Sequence, residues 1–302
     1  MQTGAVGTAT SPVCPLCGSQ HNEHTFFEEG YSLRLCHQCE LFFVYPRQSD
    51  DEQHKLVIDY GYQDIEVLDV ETSYQNNKAP DLFQSQILQE CAAANSVLDV
   101  GCGTGNLLEN LAKFPHLRRV GVELNHPRAE KSRQVAQCEI FEVPFEEFRT
   151  DERFDVITLI NVFSHISSFD ALFKTAKRLL NPGGKFIVRT SEMRPGTKKW
   201  TQLSWGIPDD MQFLGMRTID FICRKYGFQV VQHERIPYED VIFKPSRWGT
   251  PGRSRARNLV KSAASHTPLL LSALRGCYRM AGGDLLYLSY IVLTPSDSAR
   301  NS

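Results

Sequence analysis

The apolar positions of this chain change their spacing as the sequence runs. Around Leu82, Phe83, Ile87 and Leu88 they fall on one face of a helix, with Asp81, after Pro80, as its N-cap. From Val97 onward short unbroken apolar runs take over, at Val97-Leu98, Val120-Gly121-Val122, Val156-Ile157 and Phe186-Ile187-Val188, with helical spacing between them. Strands that are apolar on both faces sit between two layers of helices, so the alternation predicts an α/β fold with a doubly wound, Rossmann-like parallel sheet. Past these runs, 211–231 reads as a helix followed by a Gly-Phe strand unit, and 285–293 as one more strand. Ahead of them, 1–12 is small and polar and expected to be disordered, and 47–80 is polar and acidic with Tyr60, Tyr62 and Tyr74 interspersed.

The stretch 97–108 carries the first chemical signal. An apolar run ends at Asp99-Val100, glycines follow at alternate positions (Gly101, Gly103, Gly105), and helical spacing resumes at Leu107-Leu108. Glycines so placed permit positive φ angles and remove the Cβ atoms that would hold a ligand away from the backbone. The helix behind them aims free N–H groups at that ligand, which suits a carboxylate or a phosphate equally. The spacing departs from the G-x-G-x-x-G of dinucleotide sites. An acid at Asp99 would repel a pyrophosphate and pair with an ammonium group.

Read with three further segments, this stretch resembles the class I S-adenosylmethionine-dependent methyltransferases. Leu98-Asp99-Val100-Gly101-Cys102-Gly103-Thr104-Gly105 is similar to their first motif, and Val120-Gly121-Val122-Glu123 to their second strand. Residues 154–161 resemble the fourth strand, and 179–188 the turn into the fifth. The ordered likeness covers roughly 81–195, with weaker likeness on both sides.

The resemblance implies S-adenosylmethionine as cofactor and a seven-stranded sheet whose last strand, 285–293, is antiparallel. It implies that Asp99 and the three glycines hold the methionine end, that Glu123 bonds the ribose hydroxyls, and that Leu124, Phe145 and Glu146 lie around the adenine. Asn161 falls at the carboxyl edge, where ligands of open α/β sheets bind. The segment 47–80 becomes a lid or a linker, and the core becomes 81–243 with 284–296. Many relatives carry a histidine near Gln212, so a base at that position does not transfer to this chain. His165, just past the fourth strand, is the leading candidate for a general base. Tyr238 is a weaker catalytic candidate, as are Glu239, His233 and Glu192.

Nine cysteines fall into two groups. Cys91, Cys102, Cys138, Cys223 and Cys277 are scattered through helix and strand patterns and read as small apolar residues. Cys14-Pro15-Leu16-Cys17 and Cys36-His37-Gln38-Cys39 have the spacing of a tetrahedral zinc site built on two knuckles, and neither pair sits between a strand and a helix as a redox motif would. Residues 13–46 therefore read as a small N-terminal zinc ribbon, too small to fold on its own core. Cys14, Cys17, Cys36 and Cys39 fill the coordination sphere without His21, His24 or His37, so the zinc has a structural role.

A net charge of -2 carries no general polyanion signal. The segment 244–283 is the exception: from Lys244 to Arg279 there are eight basic residues and no acidic one, leaving about -10 on the rest of the chain. It reads either as a solvated helical face or as a docking surface for phosphate, acyl carrier protein or anionic membrane. Neither a leader segment nor an apolar run long enough to cross a bilayer is found, so a cytoplasmic location is expected. The leading functional reading is methylation of a small or carrier-bound molecule: a sugar, a lipid or a secondary-metabolite intermediate. The rivals are an rRNA or tRNA methyltransferase gripping RNA through the ribbon and basic insertion, against which the sequence pI near 6.5 argues, and a non-enzymatic scaffold of the same fold.

Overall fold

A computed structural model describes residues 12–28, 30–49, 51–55, 83–197, 207–238, 268–280 and 285–296. The expected disordered tail, Asp81, Leu82, Glu239, most of the lid segment and the basic stretch before 268 lie outside the described residues.

Strand–helix alternation produces the predicted sheet. β4 (Ser96–Val100), β5 (Arg118–Val122), β6 (Glu139–Phe141), β7 (Phe154–Ile160) and β8 (Leu180–Met193) run parallel. β10 (Phe228–Pro237) and β11 (Leu286–Pro295) complete the order β10-β11-β8-β7-β4-β5-β6, with β11 antiparallel to both neighbours. Helices α1 (Gln84–Ala92), α2 (Asn106–Leu111), α3 (His126–Ala136), α4 (Phe169–Leu179) and α5 (Thr218–Tyr226) accompany the sheet. Their apolar stripes meet its two faces in separate clusters: Phe83, Ile87 and Cys91 with Val97, Ile187 and Tyr290, and Leu172, Phe173, Ile219 and Ile222 with Ile157, Phe186 and Ile291. α1 begins after Phe83, which offers no side-chain cap.

The ribbon forms a second sheet from β1 (Asn22–Glu28), β2 (Tyr31–Cys36) and β3 (Phe42–Tyr45). Its fourth strand is β9 (Gln212–Phe213), which pairs Phe213 with Phe42 and Gln212 with Phe43. This corrects the reading of 211–231 as starting with a helix. Gly215 approaches the Glu40 carbonyl so closely that no side chain fits there, and α5 starts only at Thr218, whose hydroxyl donates to the Cys39 carbonyl at 3.0 Å. Helical spacing in the sequence could not reveal that an edge strand from the other end of the chain captures Gln212 and Phe213.

Nor is the ribbon a free-standing module. Leu33, Leu35, Phe42 and Val44 pack with Met193, Ile207, Phe213 and Leu286, while Cys14, Leu16, Leu41 and Phe43 join the large core with Leu214 and Ile219. Both faces are buried against the main domain, which gives the small unit the apolar contact it cannot make alone.

Candidate functional site

The glycine turn closes onto β7. Gly101 (φ 67°) leaves no room for a Cβ against Val162, and its N–H donates to the Val122 carbonyl at 2.7 Å. At Gly105 (φ 85°), where α2 starts, a Cβ would lie 2.8 Å from the Ser132 Cα. Gly103 (φ 55°) differs from both: a Cβ there would meet nothing within 4 Å. Two of the glycines thus serve protein packing, and the third leaves space free for a ligand.

That space belongs to a cavity of about 380 Å³, lined among others by Gly101, Gly103, Glu123, Leu124, Phe145, Glu146, Asn161 and His165. Its volume lies in the range of small-molecule sites. Glu123, buried at the end of β5, accepts the Gly103 N–H at 2.8 Å and the Asn125 N–H at 2.9 Å, one on each carboxylate oxygen. Burial raises its pKa and these backbone donors oppose the rise. Asn161 takes a left-handed backbone (φ 58°), which asparagine tolerates, and it turns the chain out of β7 at the cavity wall.

Asp99 and Gly105 are not among the lining residues. The Asp99 side chain is buried within the sheet and accepts the Thr158 hydroxyl at 2.6 Å. Burial, assisted by the charge of Glu123 and opposed by that hydrogen bond, pushes its pKa to about 7. The sequence reading set Asp99 against an ammonium group; in the structure its carboxylate pairs with Thr158 and joins β4 to β7. An acid before the first glycine is visible in the sequence, whereas its partner Thr158 comes from β7.

His165 reaches the cavity from a short turn after β7. Its Nδ1 lies 3.2 Å from an Asp209 carboxylate oxygen and 3.1 Å from the Asp209 carbonyl, and its Nε2 lies 3.7 Å from Asp210. Burial draws the imidazole pKa down, but the two carboxylates outweigh it and lift the pKa to about 9. The sequence reading of His165 as a general base did not include these two carboxylates, which favour the protonated ring. Because the folded pKa lies above that of the unfolded chain, the stabilisation is complete below about pH 6.5 and lost as pH rises through about 9. An NMR titration should place the His165 midpoint near 9, and Asp209→Asn should move it down. A midpoint near the ordinary histidine value in the parent protein would refute the pairing.

Tyr238 packs against two apolar clusters and does not line the cavity, and neither do Glu192 or His233. Glu192 is fully buried between strands, where Arg235 binds both its oxygens at 2.7 and 2.9 Å and Ser289 donates at 2.9 Å. Burial works against that charge, yet His233, Arg235 and Ser289 hold its pKa below the ordinary value. The group joins β8, β10 and β11.

The sequence reading missed several contributors. His54 lines the cavity from the short helical stretch 51–55, whose Gln53 donates to the Asp209 carbonyl at 3.0 Å, so the start of the lid segment touches the site. Arg47, just after β3, binds the Ile166 and Ser167 carbonyls at 3.1 and 2.9 Å and the Gln212 side-chain oxygen at 2.9 Å. The Gln212 amide in turn donates to Phe163 and Ile166, both at 2.7 Å. The ribbon sheet thus clamps the turn that carries His165. Contacts between segments this distant in sequence leave no local pattern.

In the ribbon, the Cys14 and Cys39 sulfurs are 3.5 Å apart, those of Cys17 and Cys36 3.4 Å, and all four lie within 4.8 Å of one another. Four sulfurs on one zinc ion at about 2.3 Å sit about 3.8 Å apart, so the cluster has the dimensions of such a centre.

Comparison with known proteins bears on the cavity. Residues 72–233 match the family model described as "Methyltransferase domain". The chain is 23% identical over 203 residues to the fatty-acid O-methyltransferase of Mycolicibacterium smegmatis, covering 63% of this chain and 72% of that protein. It is 31% identical over 102 residues to the ubiquinone biosynthesis O-methyltransferase of Coxiella burnetii, covering 31% of this chain but only 42% of the relative. Among solved structures, Haemonchus contortus Phospholethanolamine N-methyltransferase 2, in complex with phosphomonomethylethanolamine and S-adenosylhomocysteine, aligns with a TM-score of 0.54 at 16% identity, over 72% of this chain and 53% of that one. At that identity the likeness is one of fold.

Proposed function

The chain belongs to the methyltransferase-domain family and is an S-adenosylmethionine-dependent methyltransferase, and from that premise we propose that its acceptor is a small or carrier-bound molecule such as a sugar, a lipid or a secondary-metabolite intermediate. The observation that carries the donor half is the free space at Gly103 beside the Glu123 carboxylate, at the carboxyl edge of the sheet. Each Glu123 oxygen keeps acceptor capacity beyond its one backbone donor, enough for a pair of hydroxyls. Leu124 and Phe145 supply apolar surface for a flat ring.

When bound, S-adenosylmethionine supplies a methyl group already activated on a sulfonium. The protein's part is to align, to exclude water and to hold the acceptor. His165, protonated between Asp209 and Asp210, is suited to bind an electron-rich group of the acceptor. Asp209, on the same wall, is the nearby carboxylate for a proton that leaves it. Relatives named for fatty-acid and ubiquinone O-methylation support a lipid or other small acceptor. The four cysteines are assigned to a structural zinc ion, closed to substrate by its complete ligand set.

Titration calorimetry with S-adenosylhomocysteine should show a single binding site, weakened about 10- to 100-fold by Glu123→Gln, which turns one charged acceptor into a donor facing a backbone N–H. No binding to the parent protein would overturn the donor assignment. For the acceptor, labelled methyl should pass to members of a panel of fatty acids, quinols and sugar nucleotides. Label entering total RNA alone would assign the enzyme to nucleic acid instead.

A further inference from the structure

We propose that helix α6 (Pro268–Met280) docks the protein on an anionic lipid surface. A surface helix ordinarily turns its charged side to water and its apolar side inward. Here Leu269 and Met280 are 85% and 84% exposed, and Ala273 and Cys277 are exposed as well. At 100° per residue, Leu269, Ala273, Gly276 and Met280 fall on one stripe, about 16 Å long from end to end. On that stripe Leu269, Ala273 and Met280 are exposed and Gly276 is half-buried; Ser272, Leu274 and Cys277 are exposed beside it, while Arg275 and Tyr278 are half-buried.

Charge selects the occupant. Arg279 is exposed beside the stripe, and the sequence from Lys244 to Arg279 has eight basic residues and no acidic one, in a chain whose net charge is -2. An exposed apolar stripe on a helix that carries Arg275 and Arg279 and no acidic residue is the combination by which interfacial helices bind anionic bilayers. An acidic protein would answer the charge, but it would leave exposed leucine and methionine without an apolar surface to enter. The proposal goes beyond the methyl-transfer reading and does not depend on it.

The test is cosedimentation of the full chain with vesicles of phosphatidylcholine alone and of equal parts phosphatidylcholine and phosphatidylglycerol, in the absence of any substrate. Binding is expected to the anionic vesicles only, weakening as salt rises, and falling about tenfold or more in a Leu269→Glu/Met280→Glu double variant, as expected when inserted apolar residues become acidic. Both positions face water, so an unchanged melting temperature and circular dichroism spectrum should show that the variant is folded. Failure of the parent protein to bind anionic vesicles would overturn the proposal, as would equal binding to both vesicle types or undiminished binding of the variant. Saturable binding to an acidic carrier protein without vesicle binding would assign the surface to a protein partner instead.

Discussion

Replacing Cys36 with serine should cost the protein its metal and, with it, the shape of the cavity that His165 lines. The first half follows from the ligand set. Sulfur separations of 3.4 and 3.5 Å suit four thiolates on one ion, and removing one leaves an incomplete sphere. Structural zinc contributes about 10–16 kcal/mol of apparent binding free energy in small finger units, far more than the ribbon's short strands supply alone. Metal content should fall from about one zinc per chain to near none, and limited proteolysis should cut within 13–46.

The second half follows from the path between ribbon and cavity. The knuckle carbonyl of Cys39 is held by Thr218, β3 pairs with β9, and Arg47 and Gln212 fix the turn 163–167 that carries His165. Affinity for S-adenosylhomocysteine should therefore drop with metal loss, and restored zinc should recover it in chelator-treated parent protein. Arg47→Ala separates the two effects, since it should keep zinc yet weaken the ligand through the loosened turn. A metal-free protein with unchanged protease resistance and unchanged affinity would refute the coupling.

What the sequence made legible follows from the range of the interactions involved. β4, β5, β7 and β8 are buried on both faces, and burial of that kind writes itself as short apolar runs. The glycine turn and the two cysteine pairs were equally legible, because each motif is written in a few consecutive residues. Orientation was not: β4 is buried on both faces, and the pairing of Asp99 with Thr158 needs the neighbouring strand β7. Nor was β9, because Gln212 and Phe213 become a strand only when β3 lies beside them. The surroundings of His165 were hidden for the same reason, since Asp209 and Asp210 reach it from a distant segment.

Gly103→Ala and Gly105→Ala should fail in opposite ways, though the two residues are neighbours in one motif and share a positive φ. At Gly105 the added methyl would lie 2.6 Å from the Ser132 Oγ and 2.8 Å from its Cα, and the backbone of α3 cannot move aside without shifting the helix. Left-handed strain of about 1–2 kcal/mol adds to about 1–3 kcal/mol of overpacking. Gly105→Ala should therefore melt well below the parent protein, by roughly 5–15 °C. Any ligand-binding loss in it should accompany the loss of fold.

At Gly103 the same methyl meets no protein atom within 4 Å, so only the left-handed strain of about 1–2 kcal/mol falls on stability. What the methyl does occupy is the space beside the Glu123 carboxylate, where the backbone lines the cavity. Gly103→Ala should stay folded and lose affinity for S-adenosylhomocysteine by about tenfold or more, as a filled cradle requires. Thermal melts and calorimetry on both variants decide the matter. Parent-like affinity in Gly103→Ala would remove that residue from the cofactor site, and parent-like stability in Gly105→Ala would show that α3 is free to yield.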